Sequence, residues 1–188
     1  MTDNLEKFEL GVASAKLYDF IWDILCDWYI ELVKSRLQAG GETALNAQKV
    51  LVYVMANTLK LLHPFMPFIT EEIWQALPHE GDYLITAKWP EYRQELHFAE
   101  DEAAMEAVKD AISAVRARRS EMNVPPSRKA QMIIVTKQPK NYEEGRHFIT
   151  RMAWASELTV TTEAPADLSG MVSVATHDAS IYLPPLAP

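Results

Sequence analysis

Between Ala44 and Leu62 the apolar residues Ala47, Val50, Leu51, Val54, Leu61 and Leu62, with Thr58, recur at three- and four-residue intervals, and this rhythm then meets proline twice within four residues, at Pro64 and Pro67. The spacing predicts a helix with one buried face. Proline has no N–H to donate and pushes the preceding residue out of helical geometry, so the axis must stop or kink after His63. Thr70 stands where it would cap a new helix, and Glu71 and Glu72 fall in the first turn, where the helix dipole favours carboxylates. A kinked helical hairpin inside a bundle follows. His63, beside the kink, is expected to hydrogen-bond carbonyls that the kink frees.

The rest of the first 124 residues reads the same way. One long helix is expected from about Asp3 to Leu37, with Leu5, Phe8, Val12, Ala15, Trp22, Cys26, Tyr29 and Val33 on one stripe and Ile21, Leu25, Trp28 and Leu32 on another. Asp19, Asp23, Asp27 and Glu31 recur at four-residue steps on the opposite side. With no histidine or loop oxygen at ligand spacing, that row reads as a solvated or salt-bridged face rather than a metal site. Gly40 and Gly41 mark the turn into the second helix, Pro78 to Asp82 a loop, and Tyr83 to Pro90 an extended segment. Glu100, Asp101 and Glu102 open a further helix, whose stripe of Met105, Val108, Ile112, Val115 and Met122 also includes Arg119. A cation on that stripe must be paired or must face a groove.

Pro125 and Pro126 end this helix, and beyond them the period changes. Gln131 to Thr136 and Leu158 to Thr162 read as strands around a helix over 141–155, and Met171 to Ala175 and Ser180 to Leu183 as two more strands joined at His177 and Asp178. The expected fold is mainly α: a helical bundle over 1–124 followed by a small α+β subdomain over 125–188.

Composition narrows the functional classes. The 188 residues are 48% hydrophobic and 23% charged, as in ordinary globular proteins. The single cysteine, Cys26, excludes an internal disulfide and reads as an inert thiol in a helix. No apolar run reaches the roughly 18 residues of a membrane span, and the polar N-terminus is unlike a signal peptide, so a soluble, cytoplasmic protein is expected; a monomer is expected as well. The net charge of −8 weighs against a polyanionic partner unless positive charge is gathered on one surface.

Two basic clusters do exist. Lys34 and Arg36 close the first helix, where cations suit the negative dipole end. Arg116, Arg118, Arg119, Arg128 and Lys129 surround the end of the fourth. Arginine offers planar stacking and bidentate phosphate contacts, and Trp28 and Tyr29 offer planes for unstacked bases, although their stripe also suits a core. Arg118 and Glu121 stand three apart and suit a local pair. For the arginine cluster, RNA contact and pairing with the acidic row are equally open. No catalytic or metal-ligating set is apparent: there is no glycine-rich phosphate loop and no Cys/His cluster.

The segment HPFMPFITEEIW, from His63 to Trp74, resembles the matching segment of valyl-tRNA synthetases, with looser versions in the isoleucyl and leucyl enzymes. NLEKFELG from Asn4, YDFIWDILCDWYIELVKSRL from Tyr18, Trp89-Pro90, VRARRSEMNVPPS from Val115 and IYLP from Ile181 are similar to the same family in the same order. The resemblance implies an anticodon-binding region that grips tRNA-Val by its anticodon arm, within an enzyme that activates valine with ATP and Mg²⁺. The His-Ile-Gly-His and Lys-Met-Ser-Lys-Ser signatures of that catalytic domain are absent here. The resemblance therefore implies a fragment without catalytic and editing domains, without the first anticodon-domain helix, and without the C-terminal coiled coil, since LPPLAP carries no heptads. Three other readings stay open: the same region of an isoleucyl or leucyl enzyme, a helical interaction module without RNA function, and a small self-contained enzyme.

Overall fold

A computed structural model describes residues 1–185, so the last three residues of LPPLAP lie outside the described residues. The chain divides into two compact units, Met1–Tyr92 and a second beginning at Arg93.

The first unit is helical. Helix α1 (Thr2–Glu6) ends where Phe8 takes a positive φ of 59°. The Glu9 N–H reaches the Asn4 carbonyl at 2.8 Å and the Phe8 N–H reaches Leu5 at 3.0 Å, the paired bonds of a Schellman stop. A bulky residue in this left-handed region is strained, and side-chain bonds brace it: Asn4 Nδ2 donates to Glu9 Oε2 at 2.6 Å, and Lys16 Nζ donates to Asn4 Oδ1 at 2.9 Å. The single helix expected from Asp3 to Leu37 is therefore interrupted, and Phe8, placed on its buried stripe, is 88% exposed.

The chain resumes as α2 (Leu10–Asp19), runs through a π-helical stretch from Phe20 to Tyr29, and continues as α3 (Ile30–Ala39). The i→i+5 bonds of a π turn hold more residues than the 3.6 of an α turn, so a stripe drawn at 3.6 rotates off the core. The residues before and after the stretch therefore do not share one 3.6-residue phase. Leu25, Leu32 and Val33 are buried as expected, joined by Ala13 and Leu17, whereas Val12, Ala15 and Trp22 are exposed.

Gly40 and Gly41, at φ of 73° and 71°, turn the chain into α4 (Gly41–Leu62). After the prolines α5 (Pro67–Ala76) begins, with Pro67 at its first position, so the proline starts this helix without losing a bond. Thr70 is thus inside α5 rather than at its cap. Leu59, Trp74 and Leu84 form a core with Ala56, Ile73, Leu77 and Ala87 packed against it. Leu84 arrives there through a 3₁₀ turn over Leu84–Thr86 inside the segment expected to be extended. Trp89 Nε1 donates to Thr2 Oγ1 at 3.1 Å.

The second unit opens with α6 (Ala99–Glu121), whose buried residues are Ala107, Val108, Ala111, Ile112, Val115 and Arg119. It packs against α7 (Pro139–Glu144), α8 (Arg146–Met152) and a four-stranded sheet of order β2-β1-β4-β3. The strands are β1 (Ala130–Thr136), β2 (Ala155–Thr161), β3 (Val172–Ala175) and β4 (Ala179–Leu183). β1 and β2 are parallel, as a helical crossover requires, and the other pairings are antiparallel. A helical region followed by an α+β unit is the expected fold class. The division falls before α6 rather than at the double proline expected to separate residues 1–124 from 125–188, because the apolar stripe of α6 is buried against α7, α8 and the sheet. The single helix expected over 141–155 is two, meeting at Gly145.

Candidate nucleic-acid interface

The first basic cluster lies on α3. Leu32 and Val33 are buried, Lys34 lies on the opposite side of the helix half-buried, and Arg36, one turn after Leu32, is exposed as the helix runs out. Lys34 Nζ pairs with Glu31 three residues earlier, so one member of the acidic row is matched on its own helix, while Asp19, Asp23 and Asp27 stay exposed. Arg36 is exposed in the last turn, where its charge meets the negative helix end. Burial pushes the Tyr29 phenol above its ordinary pKa, and the Arg36 charge opposes that shift. Trp28 and Tyr29 are half-buried.

The second cluster surrounds the end of α6, and its five members have different surroundings. Arg116 is exposed and holds its guanidinium 5.3 Å from the centre of the Trp154 ring. Arg118 Nη1 donates to Glu121 Oε2 at 2.9 Å, the local pair that the spacing suggests. Arg128 and Lys129 are exposed in the segment leading to β1. Arg119 is the exception, at 1% exposure. A side chain so placed does not reach a macromolecular ligand, so the structure corrects its assignment as a contact residue.

Burying a guanidinium is costly unless donors and charge are answered. Nη2 of Arg119 donates to the Pro125 carbonyl at 3.1 Å and to the Arg128 carbonyl, and the guanidinium carbon lies 5.5 Å from the Trp154 ring centre. The indole face supplies the attraction that a carboxylate would otherwise give. Nε and Nη1 are buried with no hydrogen-bond partner among the described residues, and burial pulls the Arg119 pKa down from its ordinary value. Trp154 follows α8 with a positive φ of 55°. No periodicity marks it, since it falls within the helix expected over 141–155; its one signal is that the stripe cation Arg119 needs a partner.

The helix end is closed by Asn123 at φ 54°, with the Val124 N–H on the Arg119 carbonyl at 2.9 Å and the Asn123 N–H on Ser120 at 3.0 Å, again a Schellman stop. Pro125 to Arg128 then form a turn closed by the Arg128 N–H on the Pro125 carbonyl at 3.1 Å.

The proline-kinked hairpin has no place in either cluster. Thr70 Oγ1 donates to the Met66 carbonyl at 2.8 Å, which spends its only proton, so His63 Nδ1, 2.8 Å away, is the donor of the bond between them. His63 thus locks a hydroxyl across the kink rather than a freed carbonyl. Glu71 Oε2 accepts the Leu84 N–H at 2.9 Å and Gln75 Nε2 donates to the Asp82 carbonyl at 2.6 Å, so α5 holds the loop that follows it.

The model of the family described as the anticodon-binding domain of tRNA ligase matches residues 1–134, a span containing both basic clusters. The chain is 43% identical over 188 residues to a valine–tRNA ligase of Bacillus cereus, covering 98% of this chain and 21% of that protein. It is 45% identical over 186 residues to the valine–tRNA ligase of Clostridium tetani, with the same shares. It is 44% identical over 180 residues to that of Geobacillus kaustophilus, covering 94% of this chain and 20% of the relative. The chain spans about a fifth of the length of the curated relatives it matches.

Proposed function

Because the chain belongs to the family of anticodon-binding domains of tRNA ligases, we propose that it is the tRNA-gripping region of a valine–tRNA ligase. The observation that carries this reading is that the family match spans both Lys34–Arg36 and the cluster from Arg116 to Lys129. Between Arg116 and Lys129, five basic residues accompany one carboxylate, Glu121, so positive charge is locally gathered despite the net charge of −8. That arrangement suits phosphate contacts, which position a nucleic acid and release counterions.

In this reading the region binds the anticodon arm of tRNA-Val and orients the molecule, while valine activation with ATP and Mg²⁺ takes place elsewhere in a longer, cytoplasmic, monomeric enzyme. The contribution of these residues is positioning, not bond making. Arg116, Arg128, Lys129 and Arg36, all exposed, are the assigned phosphate contacts. The exposed net-acidic face of α2 and the π stretch would lie away from the RNA.

Filter binding of transcribed tRNA-Val to the 188-residue chain at two salt concentrations tests this. Weak binding that falls with salt is expected, with a further loss of roughly tenfold when Arg116, Arg128 and Lys129 are all changed to alanine. Equal affinity for tRNA-Ile would move the assignment toward the isoleucyl or leucyl relatives. Absence of binding even at low salt would favour an interaction module, the reading that the acidic net charge supports.

A further inference from the structure

Arg119 is buried, yet both carbonyls that its Nη2 reaches belong to the segment that displays the neighbouring cations. We propose that Arg119 is a positioning residue for nucleic-acid binding: an internal strut that fixes the Pro125–Arg128 turn from inside, so that Arg128 and Lys129 are presented together to a phosphate backbone. The proposal rests on the RNA-binding reading above.

Three observations carry it. First, one guanidinium nitrogen, Nη2, donates to the carbonyls at both ends of the turn, Pro125 and Arg128, and the Pro125 carbonyl also accepts the Arg128 N–H. The turn's backbone is thereby gathered on a single donor, while Arg128 and Lys129 are left exposed. Second, the backbone carbonyl of Arg119 receives the Val124 N–H that completes the helix stop, so the same residue fixes both where α6 ends and where the turn sits. Third, Trp154 lies within 5.5 Å of Arg119 and 5.3 Å of the exposed Arg116, so the plane that steadies the strut also steadies a surface cation. The guanidinium meets both demands, two carbonyls through Nη2 and the Trp154 ring 5.5 Å away; a lysine ammonium is a compact, strongly hydrated point charge that suits the indole less well. A cation with no role at the surface is also a costly way to brace a turn, because an apolar residue in its place would carry no desolvation cost.

The test uses the full 188-residue chain, transcribed tRNA-Val, and the variants Arg119→Met, Arg119→Lys and Arg128→Ala with Lys129→Ala, alone and combined. In Arg119→Met, exchange of the amides of Val124, Arg128 and Ala130 is expected to speed by about tenfold, with amides of the β1–β4 pairing unchanged. Binding is expected to weaken by roughly five- to tenfold, and equally in Arg119→Lys, although lysine keeps the charge. The Arg128→Ala, Lys129→Ala variant is expected to lower the slope of log affinity against log salt by about two. In that background Arg119→Met should add less than about a twofold loss, because the groups it positions are gone. Additive losses in a folded protein, or wild-type affinity in Arg119→Lys, would overturn the inference while leaving the RNA reading intact. Failure of the wild-type chain to bind tRNA overturns both, and unchanged exchange in Arg119→Met overturns the strut itself.

Discussion

Gly145 stands where α7 meets α8, and a Cβ built on it would lie 2.4 Å from one γ-methyl of Val108 and 3.3 Å from the Asn141 carbonyl. Val108 is buried in the face that α6 turns to these helices and cannot swing away. Gly145→Ala is therefore expected to destabilise the chain by about 1–3 kcal/mol, the cost of overpacking a filled core. Thermal unfolding of Gly145→Ala, Val108→Ala and the double variant checks this: the double should lose less than the sum of the singles, since the smaller side chain at 108 makes room for the new methyl. Sequence alone reads straight through this residue, because a glycine amid helix-forming neighbours signals nothing about the side chain that faces it. Arg119 is the opposite case. Its place on the apolar stripe of α6 already demands a partner or a groove, but the partners are two carbonyls and an indole, none of which a search for matching charge would select.

Among the elements, α5 shows how a recognisable motif serves the structure. Its Glu71 accepts the Leu84 N–H, and Leu84 is a member of the Leu59–Trp74 core. Glu71→Ala leaves that N–H without its acceptor, so a stability loss of about 1 kcal/mol and faster exchange of the Leu84 amide are expected. Wild-type exchange at Leu84 in the variant would show that another group takes over. In the second unit, Arg146 joins α8 to its neighbours, donating through Nε to Glu143 Oε2 and through Nη2 to Glu143 Oε1, both at 2.8 Å, while Nη1 donates to the Leu158 carbonyl of β2. The Arg146 hydrogen bonds hold the Glu143 carboxyl below its ordinary pKa. Its contribution is thus present above the pKa of the unfolded carboxylate and is lost as pH falls through the lower native value. Both groups are partly exposed, so Glu143→Gln should cost only about 0.5 kcal/mol at neutral pH. Urea unfolding at a series of pH values should show that gap closing in acid; a gap that stays constant would mean the charge is immaterial. The first helix is the least legible element. Its stop at Phe8 rests on a left-handed conformation that an aromatic residue does not favour, and its π stretch breaks the single phase that a stripe along the whole helix would need.

For the whole molecule, the acidic excess is carried mainly before Arg93, while the arginine-rich run lies after it, so the salt dependence proposed above should be dominated by the second unit. Alanine at Arg36 is accordingly expected to reduce tRNA affinity less than alanine at Arg128, measured by the same filter assay; the reverse order would place the main contact on α3. No helix among the described residues is long and apolar enough to cross a membrane. By itself, the sequence determined the helical hairpin at the prolines, the change of period after Pro126, the stripe of α6 and the family resemblance, because local sterics and hydrophobic spacing act within a few residues of chain. Only the tertiary structure decided that α6 belongs with the sheet, that Gly145 divides a helix, that His63 locks Thr70, and that Arg119 points inward to Trp154. Each of those depends on which group lies opposite another across the fold, and spacing along one stretch of chain carries no record of that.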